Sequence, residues 1–210
     1  MESDAANEAI QQASLFFSLA RAMEQPGVWQ EDLPSVIRDG LATGLAPLPS
    51  LGERLAVEAS RALTEREQIS IEHARLFLGP FEIVVPPWAS LYLEEDRRIM
   101  GAVSQQAARA YAEAGLAPAD DLREAPDHVT HELEFMYFLA FQESTEPGEE
   151  WRARRARFWR DHLGRWLPQL GARLAESSTH PYYKSLAAAI AVVSRRLDLV
   201  FGDDVTCGAG

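Results

Sequence analysis

Residues 126–143 read P-D-H-V-T-H-E-L-E-F-M-Y-F-L-A-F-Q-E, and this stretch decides the fold. Between Leu133 and Phe141 only Glu134 is charged, so a helix formed here is apolar almost all round. A helix of that kind is covered by neighbours on most of its surface. We therefore predict a central, buried helix over about 126–143. Pro126 suits its first turn, because a proline there loses no helical hydrogen bond.

Amphipathic helices are predicted on both sides of this central segment. Apolar side chains recur at helical spacing, and the predicted helices span 7–24, 31–45, 50–63, 94–115, 149–163 and 182–200. Another is expected from a capping-box pattern at Thr64–Glu67 to Gly79. Ala, Leu, Glu and Arg are abundant whereas Val, Ile and Thr are sparse, which favours helix over sheet. The predicted fold class is all-α, with eight to ten helices in a single domain.

The stretch G-P-F-E-I-V-V-P-P-W-A-S-L-Y-L at 79–93 separates two of these helices. Three prolines within nine positions rule out regular helix there. Because the stretch is also strongly apolar, we expect it to pack either on the core of the protein or against a ligand.

Composition excludes several classes of function. The net charge of −12 and the pI of about 4.9 describe a surface that repels nucleic acid and attracts cationic partners. The single cysteine, Cys207, cannot form an intramolecular disulfide. The N-terminus lacks the pattern of a secretory signal, and no apolar run reaches the roughly 18 residues of a membrane span. We expect a cytoplasmic protein without membrane insertion.

Histidines and carboxylates cluster at 124–134, which leaves three hypotheses open. A metal-dependent hydrolase centred on His128, His131 and Glu132 is the enzymatic alternative, although the H-x-x-H-E spacing is not the H-E-x-x-H of zinc hydrolases. A hydrogen-bonded corner is the second, because Glu124 and Asp127 stand where carboxylates cap helix amides. A helical regulator that senses a small ligand is the third. No motif elsewhere pairs a nucleophile with a base, so no catalytic residue and no metal ligand is predicted.

Four motifs resemble one known family. They are E-H-A-R-L-F-L-G-P at 72–80, P-P-W-A-S-L-Y-L-E-E-D-R-R-I-M-G at 86–101, E-A-P-D-H-V at 124–129 and F-W-R-D-H-L-G-R-W-L-P at 158–168. Together they resemble, in order, the motifs of the TorD/DmsD group of redox-enzyme maturation chaperones, over roughly residues 10–200. Two details differ: His73 stands where the family usually has tyrosine, and Pro126 falls one place late in the hinge motif.

The resemblance implies an all-helical domain over 1–202, with about ten helices, a hinge between its N- and C-terminal parts, and a flexible tail at 203–210. It implies a non-enzymatic, cytoplasmic chaperone that carries no cofactor. Its partners would be the twin-arginine signal peptide and the apo catalytic subunit of a molybdenum oxidoreductase of the dimethyl-sulfoxide-reductase type. The chaperone would assist cofactor insertion and proofread the subunit before export. The resemblance also leaves open a homodimer formed by domain swapping.

A receptor for a twin-arginine peptide needs carboxylates beside an apolar groove. Residue by residue, the motifs carry the expected signal-peptide-binding residues: Leu76, Phe77, Pro87, Trp88, Tyr92, Gly101, Glu124, Asp127 and His128. Further carboxylates follow at 94–96, and P-P-W-A-S-L-Y-L at 86–93 is the expected groove wall. Residues 151–160 hold five arginines and are expected to form either a solvated helix face or a surface that docks an acidic patch of the client.

Overall fold

The protein folds into a bundle of α-helices, here described from a computed structural model for residues 2–43, 49–79, 82–95, 99–117, 124–146 and 148–202. The helices are α1 (Glu2–Met23), α2 (Leu33–Thr43), α3 (Pro49–Thr64), α4 (Arg66–His73), α5 (Ser90–Leu93), α6 (Ala102–Glu113), α7 (Val129–Thr145), α8 (Glu149–Phe158), α9 (Gly164–Ser177) and α10 (Pro181–Phe201). Within these ranges the only β-type pairing is an isolated bridge between Trp88 and His128. The all-α prediction is confirmed, with ten helices in the described residues. The tail predicted at 203–210 lies outside them.

The apolar segment at 126–143 forms most of α7, and the inner face of this helix is central as predicted. Leu133, Met136 and Leu139 are at most 1% exposed, and α7 packs along α1 and against α8. Its other face is less covered, since Phe141 is 39% exposed. The helix therefore supplies both core and accessible apolar surface.

Helix α10 is fastened to the N-terminal half at its first turn. The carboxylate of Glu72, in α4, accepts hydrogen bonds from the backbone N–H groups of Thr179 (2.6 Å) and His180 (3.3 Å). Arg75 donates to the same carboxylate at 2.7 Å, and mainly this bond lowers the pKa of Glu72 to about 2. Tyr182 donates to the carbonyl of Ala22 at 2.8 Å. These bonds fix α10 against α1 and α4.

Some predicted boundaries are wrong. Thr64 does not cap a new helix: α3 continues to Thr64, whose hydroxyl donates to the Arg61 carbonyl at 2.7 Å. The helix predicted from 94 begins only at Ala102, after the short α5. Pro126 lies before α7 and not in its first turn, because His128 is the N-cap and its Nδ1 accepts from the Thr130 N–H at 3.4 Å.

Two π-helical turns continue the helices that precede them. Ala74–Leu78 extends α4 up to Gly79, where the helix was predicted to end, and Gly79 takes a φ of +42°. Trp159–Leu163 links α8 to α9, whereas the sequence predicted that a helix ends at 163. Pro168 sits inside α9 and has no N–H to donate, so the helix relies on its packing there. The first turn places Phe77 and Leu78, which line the site described next.

Candidate functional site

A cleft of about 280 Å³ lies where four distant segments meet: the end of α1, the α4 extension, the proline-rich stretch and the approach to α7. We call it the Trp88 cleft. Its lining residues are Met23, Glu24, Gln25, Val28, His73, Phe77, Leu78, Pro87, Trp88, Glu124, His128 and Thr130. Five of the nine predicted binding residues are among them: Phe77, Pro87, Trp88, Glu124 and His128.

Backbone hydrogen bonds hold the proline-rich stretch against the segment before α7. The Val129 N–H donates to the Pro87 carbonyl at 2.8 Å, and the Ala89 N–H donates to the Asp127 carbonyl at 3.0 Å. The Trp88 indole consequently meets the His128 ring edge to face, with centroids 5.7 Å apart. Prolines at 86 and 87 cannot donate, so the pairing depends on these two bonds.

Asp127 lies behind the cleft and not in it. Its side chain is fully buried, and its two oxygens accept hydrogen bonds from the Ser90 N–H (2.9 Å) and the Ser104 hydroxyl (2.6 Å). Ser90 is the first residue of α5 and Ser104 belongs to α6. The carboxylate thus joins two helices to the segment that carries His128.

The other three predicted binding residues are not brought into the cleft. Leu76 is buried in the core. Tyr92 packs on Trp166 at 5.4 Å and lines a different pocket, with Glu94 and Glu95. Gly101 precedes α6, where the Glu94 carboxylate accepts from the Val103 N–H at 2.7 Å. Of the predicted carboxylates at 94–96, Asp96 lies outside the described residues.

The Trp88 indole N–H, a buried polar group of the cleft, has no hydrogen-bond partner among the described residues. The carboxylate of Glu24 is ion-paired, since Arg21 Nη1 lies 2.7 Å from its Oε2 and donates to its Oε1 at 2.8 Å. Buried polar groups are nearly always paired in folded proteins. An unpaired donor in the cleft is therefore the pattern expected where a polar ligand binds.

The charge of the cleft at neutral pH comes from its carboxylates. Burial lowers the pKa of both His73 and His128 to about 4, so both imidazoles are neutral at pH 7. Exposed Glu124 has no ion pair with any described residue. Burial also raises the pKa of Glu24, against the opposing effect of Arg21. With both imidazoles neutral and Glu24 paired with Arg21, the exposed carboxylate of Glu124 is the group of the cleft that suits a cationic partner.

The geometry contradicts the metal-hydrolase alternative. Glu132 points into the core, where it accepts from His162 Nε2 at 2.7 Å and from the Trp166 indole at 2.9 Å. His128 Nδ1 lies 2.7 Å from the Thr130 hydroxyl, and His131 Nδ1 lies 3.2 Å from the Ala125 carbonyl. The three side chains do not converge, and among the described residues no group of three or more potential ligands could hold a metal ion.

Sequence reasoning missed the contribution of α1. Met23 and Glu24, with the turn that follows them, form one side of the cleft. The stretch E-Q-P-G at 24–27 indicated only where a helix ends. No local pattern showed that this corner faces a segment about a hundred positions later.

The arginine-rich segment is largely paired within the protein. Arg155 is buried and lies 2.8 Å from Glu143, Arg157 donates to Glu113 at 2.8 Å, and Arg154 bonds Glu150 at 2.7 Å. A cleft of about 560 Å³ beside them is also lined by Arg109 and Arg165. Docking of an acidic client patch there stays a prediction.

Known proteins resemble this chain in sequence. The family model described as nitrate reductase delta subunit matches residues 38–172, a span that includes α3 to α8 and most of the Trp88 cleft. The chain belongs to this family. Similar proteins include the chaperone protein TorD of Aliivibrio salmonicida, 25% identical over 69% of this chain and 72% of that protein. The Tat proofreading chaperone DmsD of Salmonella typhi is 28% identical over 67% and 66%. The selenate reductase assembly chaperone protein of Thauera selenatis is 30% identical over 69% and 82%.

The fold of this chain is also found in a solved structure. A crystal structure described as a redox enzyme maturation protein from Archaeoglobus fulgidus superposes with a TM-score of 0.54 at 22% identity, covering 88% of this chain and 93% of that one. These relatives confirm the TorD/DmsD resemblance. All three relatives are named as chaperones, which agrees with the prediction of a non-enzymatic protein. No helix among the described residues is long and apolar enough to cross a membrane.

Proposed function

We propose that this protein is a cytoplasmic chaperone that binds the twin-arginine signal peptide of the catalytic subunit of a molybdenum oxidoreductase. It would assist cofactor insertion and proofread the subunit before export. The observation that carries the proposal is the Trp88 cleft, which gathers five residues expected from the motifs, with Glu24, around the unpartnered indole N–H of Trp88. The names of the relatives, which include Tat proofreading and selenate reductase assembly, support the same class of partner.

The chemistry of an arginine pair matches the cleft. Guanidinium groups bind carboxylates through paired, charge-assisted hydrogen bonds, and both Glu24 and Glu124 line the cleft. The half-buried Trp88 ring offers an aromatic surface for a second guanidinium. Its free indole N–H would donate to a peptide carbonyl. In this arrangement Asp127 positions the segment and does not contact the peptide.

Calorimetric titration tests the proposal. The ligands are signal peptides of the molybdoenzymes encoded in the same genome, each with a copy in which Lys-Lys replaces the arginine pair. We expect micromolar or tighter binding of at least one peptide, and at least about tenfold weaker binding of its Lys-Lys copy, because lysine cannot make the paired bonds. No binding, or equal binding of both copies, would contradict the proposal.

Variants locate the binding in the cleft. Glu124→Gln should weaken binding of the Arg-Arg peptide about three- to thirtyfold, since it removes one charged acceptor. Glu176→Gln is the matched control, because Glu176 is an exposed carboxylate on α9 that lines a different pocket. It makes the same change in net charge and should leave the affinity unchanged. Homodimerisation by domain swapping stays a prediction for light scattering to test.

A further inference from the structure

One carboxylate of the Trp88 cleft is occupied by a neighbour in the same chain. Glu24 lines the cleft, and Nη1 of Arg21 lies 2.8 Å from its Oε1 and 2.7 Å from its Oε2. Arg21 belongs to the last turn of α1 and does not itself line the cleft. Among the ion pairs of the described residues, this is the one whose carboxylate lines the cleft. In the free protein a guanidinium group therefore already occupies a position that an arginine of the proposed ligand would take.

The pair between Arg21 and Glu24 is weak enough for a ligand to displace. The two residues are three positions apart, and their side chains are 25% and 19% exposed. Ion pairs of that spacing at partly exposed positions contribute little stability. Both contacts come from one nitrogen, Nη1, whereas a guanidinium that approaches through two nitrogens makes paired hydrogen bonds with a carboxylate. An arginine of the ligand can thus bind Glu24 more strongly than Arg21 does.

The packing of α1 against α7 places a second carboxylate opposite Arg21. The two helices run antiparallel, since Glu24, after the end of α1, lines the same cleft as the start of α7, and earlier in α1 the ring of Phe17 lies 5.4 Å from that of Tyr137. Residues one turn apart on a helix share a face. Arg21 lies one turn after Phe17, and Glu134 lies one turn before Tyr137. This register brings Arg21 and Glu134 to the same level of the two helices.

Glu134 is a carboxylate available to Arg21, because it has no ion pair with any described residue. Burial raises the pKa of Glu134, and the charges of His131 and Arg21 oppose that rise. Burial likewise raises the pKa of Glu24, and Arg21 again opposes the rise. The electrostatics therefore agree with the register: one arginine lies between two carboxylates and pairs with one of them.

We infer that Arg21 is an internal competitor of the signal peptide: an arginine of the ligand displaces it from Glu24, and Arg21 then pairs with Glu134. The inference rests on the proposed function and adds a regulation of that same site. In the free protein the contact keeps a partly buried carboxylate paired. In the complex it lowers the affinity, because the new ion pair forms only after the old one is broken. A chaperone that passes on its client must release the peptide, and an internal competitor favours that release.

Calorimetric titration with the Arg-Arg peptide tests the inference. Arg21→Gln removes the competitor and should strengthen binding about two- to fivefold, the range expected when an ion pair of this kind no longer has to be broken. Arg61→Gln is the matched control, because Arg61 forms an ion pair with Glu58, also three positions away, on α3 outside the cleft. It makes the same change in net charge and should leave the affinity unchanged. Circular dichroism verifies that each variant is folded.

Glu134→Gln tests the second position of Arg21. It removes the carboxylate that receives the displaced arginine, so it should weaken peptide binding about two- to fivefold in the otherwise wild-type protein. In the Arg21→Gln background the same substitution should leave the affinity unchanged, since no arginine is displaced there. Equal weakening in both backgrounds would show that Glu134 acts on the peptide directly, which would overturn the relocation of Arg21.

The outcome for Arg21→Gln separates this inference from the proposed function. If the wild type binds the peptide and Arg21→Gln binds it equally or more weakly, the inference is overturned and the proposed function stands. Failure of the wild type to bind any of the Arg-Arg peptides would overturn the proposed function, and the inference with it.

Discussion

Among single residues, Asp127 stabilises the candidate site from the interior of the protein. Its buried carboxylate accepts from Ser90 and Ser104 and leaves no oxygen free for a peptide. Asp127→Ala would leave a buried N–H and a buried hydroxyl without their acceptor. Each lost hydrogen bond to a charged group costs about 1.5–3 kcal/mol, so we expect a loss of roughly 2–5 kcal/mol in the free energy of unfolding.

Urea denaturation measures this loss, with Glu124→Ala as the control. Glu124 is exposed, so its removal should change stability by less than about 0.5 kcal/mol. The sequence suggested instead that Asp127 contacts the peptide. An Asp127→Ala variant with wild-type stability and weakened peptide binding would favour that interpretation over ours.

His73 makes the free energy of unfolding depend on pH in the absence of ligand. Burial lowers its pKa to about 4, whereas an unfolded histidine titrates near 6.5. The folded state therefore binds fewer protons than the unfolded state between these values. The stabilisation is fully present above pH 6.5 and is lost as the pH falls towards 4. His128 contributes in the same direction, since its pKa is also lowered to about 4.

His73→Gln isolates this effect, because glutamine can keep a hydrogen bond to Tyr183, which His73 Nδ1 makes at 2.9 Å, but does not titrate. The difference in unfolding free energy between pH 7 and pH 5 should be smaller for the variant than for the wild type, as followed by chemical denaturation at each pH. Identical pH profiles for the two proteins would show that His73 titrates normally.

At the scale of helices, the sequence predicted the presence of each long helix more accurately than the residue at which it begins. Apolar periodicity placed nearly every long helix, because it reports which face is buried. Apolar periodicity did not predict the residue at which α6 begins. Met100 takes a φ of +67°, and the Glu94 carboxylate reaches over to accept from the Val103 N–H. A cap contributed from nine positions earlier has no local signature, so residues 94–101 looked helical from their composition alone.

The residues of the candidate site were likewise predicted only in part. Residues within the motifs at 72–80, 86–101 and 124–129 could be chosen from the sequence, and five of them meet in the cleft. Glu24 could not be chosen, because its place depends on how α1 packs along α7. Tyr92 and Gly101 were chosen for their motif, but Tyr92 lies in α5 and lines another pocket, and Gly101 immediately precedes α6.

The π-helical turn at Trp159–Leu163 permits a prediction for one element. It brings the Trp159 indole against Gly164, where an added Cβ would lie 2.7 Å from the Trp159 carbonyl oxygen and 2.8 Å from the ring. Gly164→Ala should destabilise the protein by about 1–3 kcal/mol through overpacking. Gly27→Ala is the control, since an added Cβ there meets nothing within 4 Å. Thermal unfolding of both variants tests this, and equal melting temperatures would contradict the packing.

On the scale of the whole molecule, the cleft lies where α10 is hydrogen-bonded to α1 and α4. Glu72 bonds the start of α10, and the α4 extension that follows supplies Phe77 to the cleft. Tyr182, from α10, bonds Ala22, next to Met23 of the cleft. Contacts distant in sequence therefore determine the shape of the site, and partial unfolding at either end should loosen it.

Net charge then determines how quickly a basic peptide arrives. A protein of charge −12 attracts a cationic peptide over distances that salt shortens, from about 30 Å at 0.01 M to about 10 Å at 0.1 M.

We expect the association rate constant of an arginine-pair peptide to fall about tenfold between 0.02 M and 0.5 M salt. The dissociation rate constant should change much less, because charged groups in direct contact are screened much less by salt than the long-range attraction. Stopped-flow tryptophan fluorescence gives both constants, with Trp88→Phe identifying the signal from the cleft. The control peptide, with serine in place of both arginines, should associate at a rate nearly independent of salt. If salt instead acted mainly on dissociation, the net charge of the protein would not be steering the peptide.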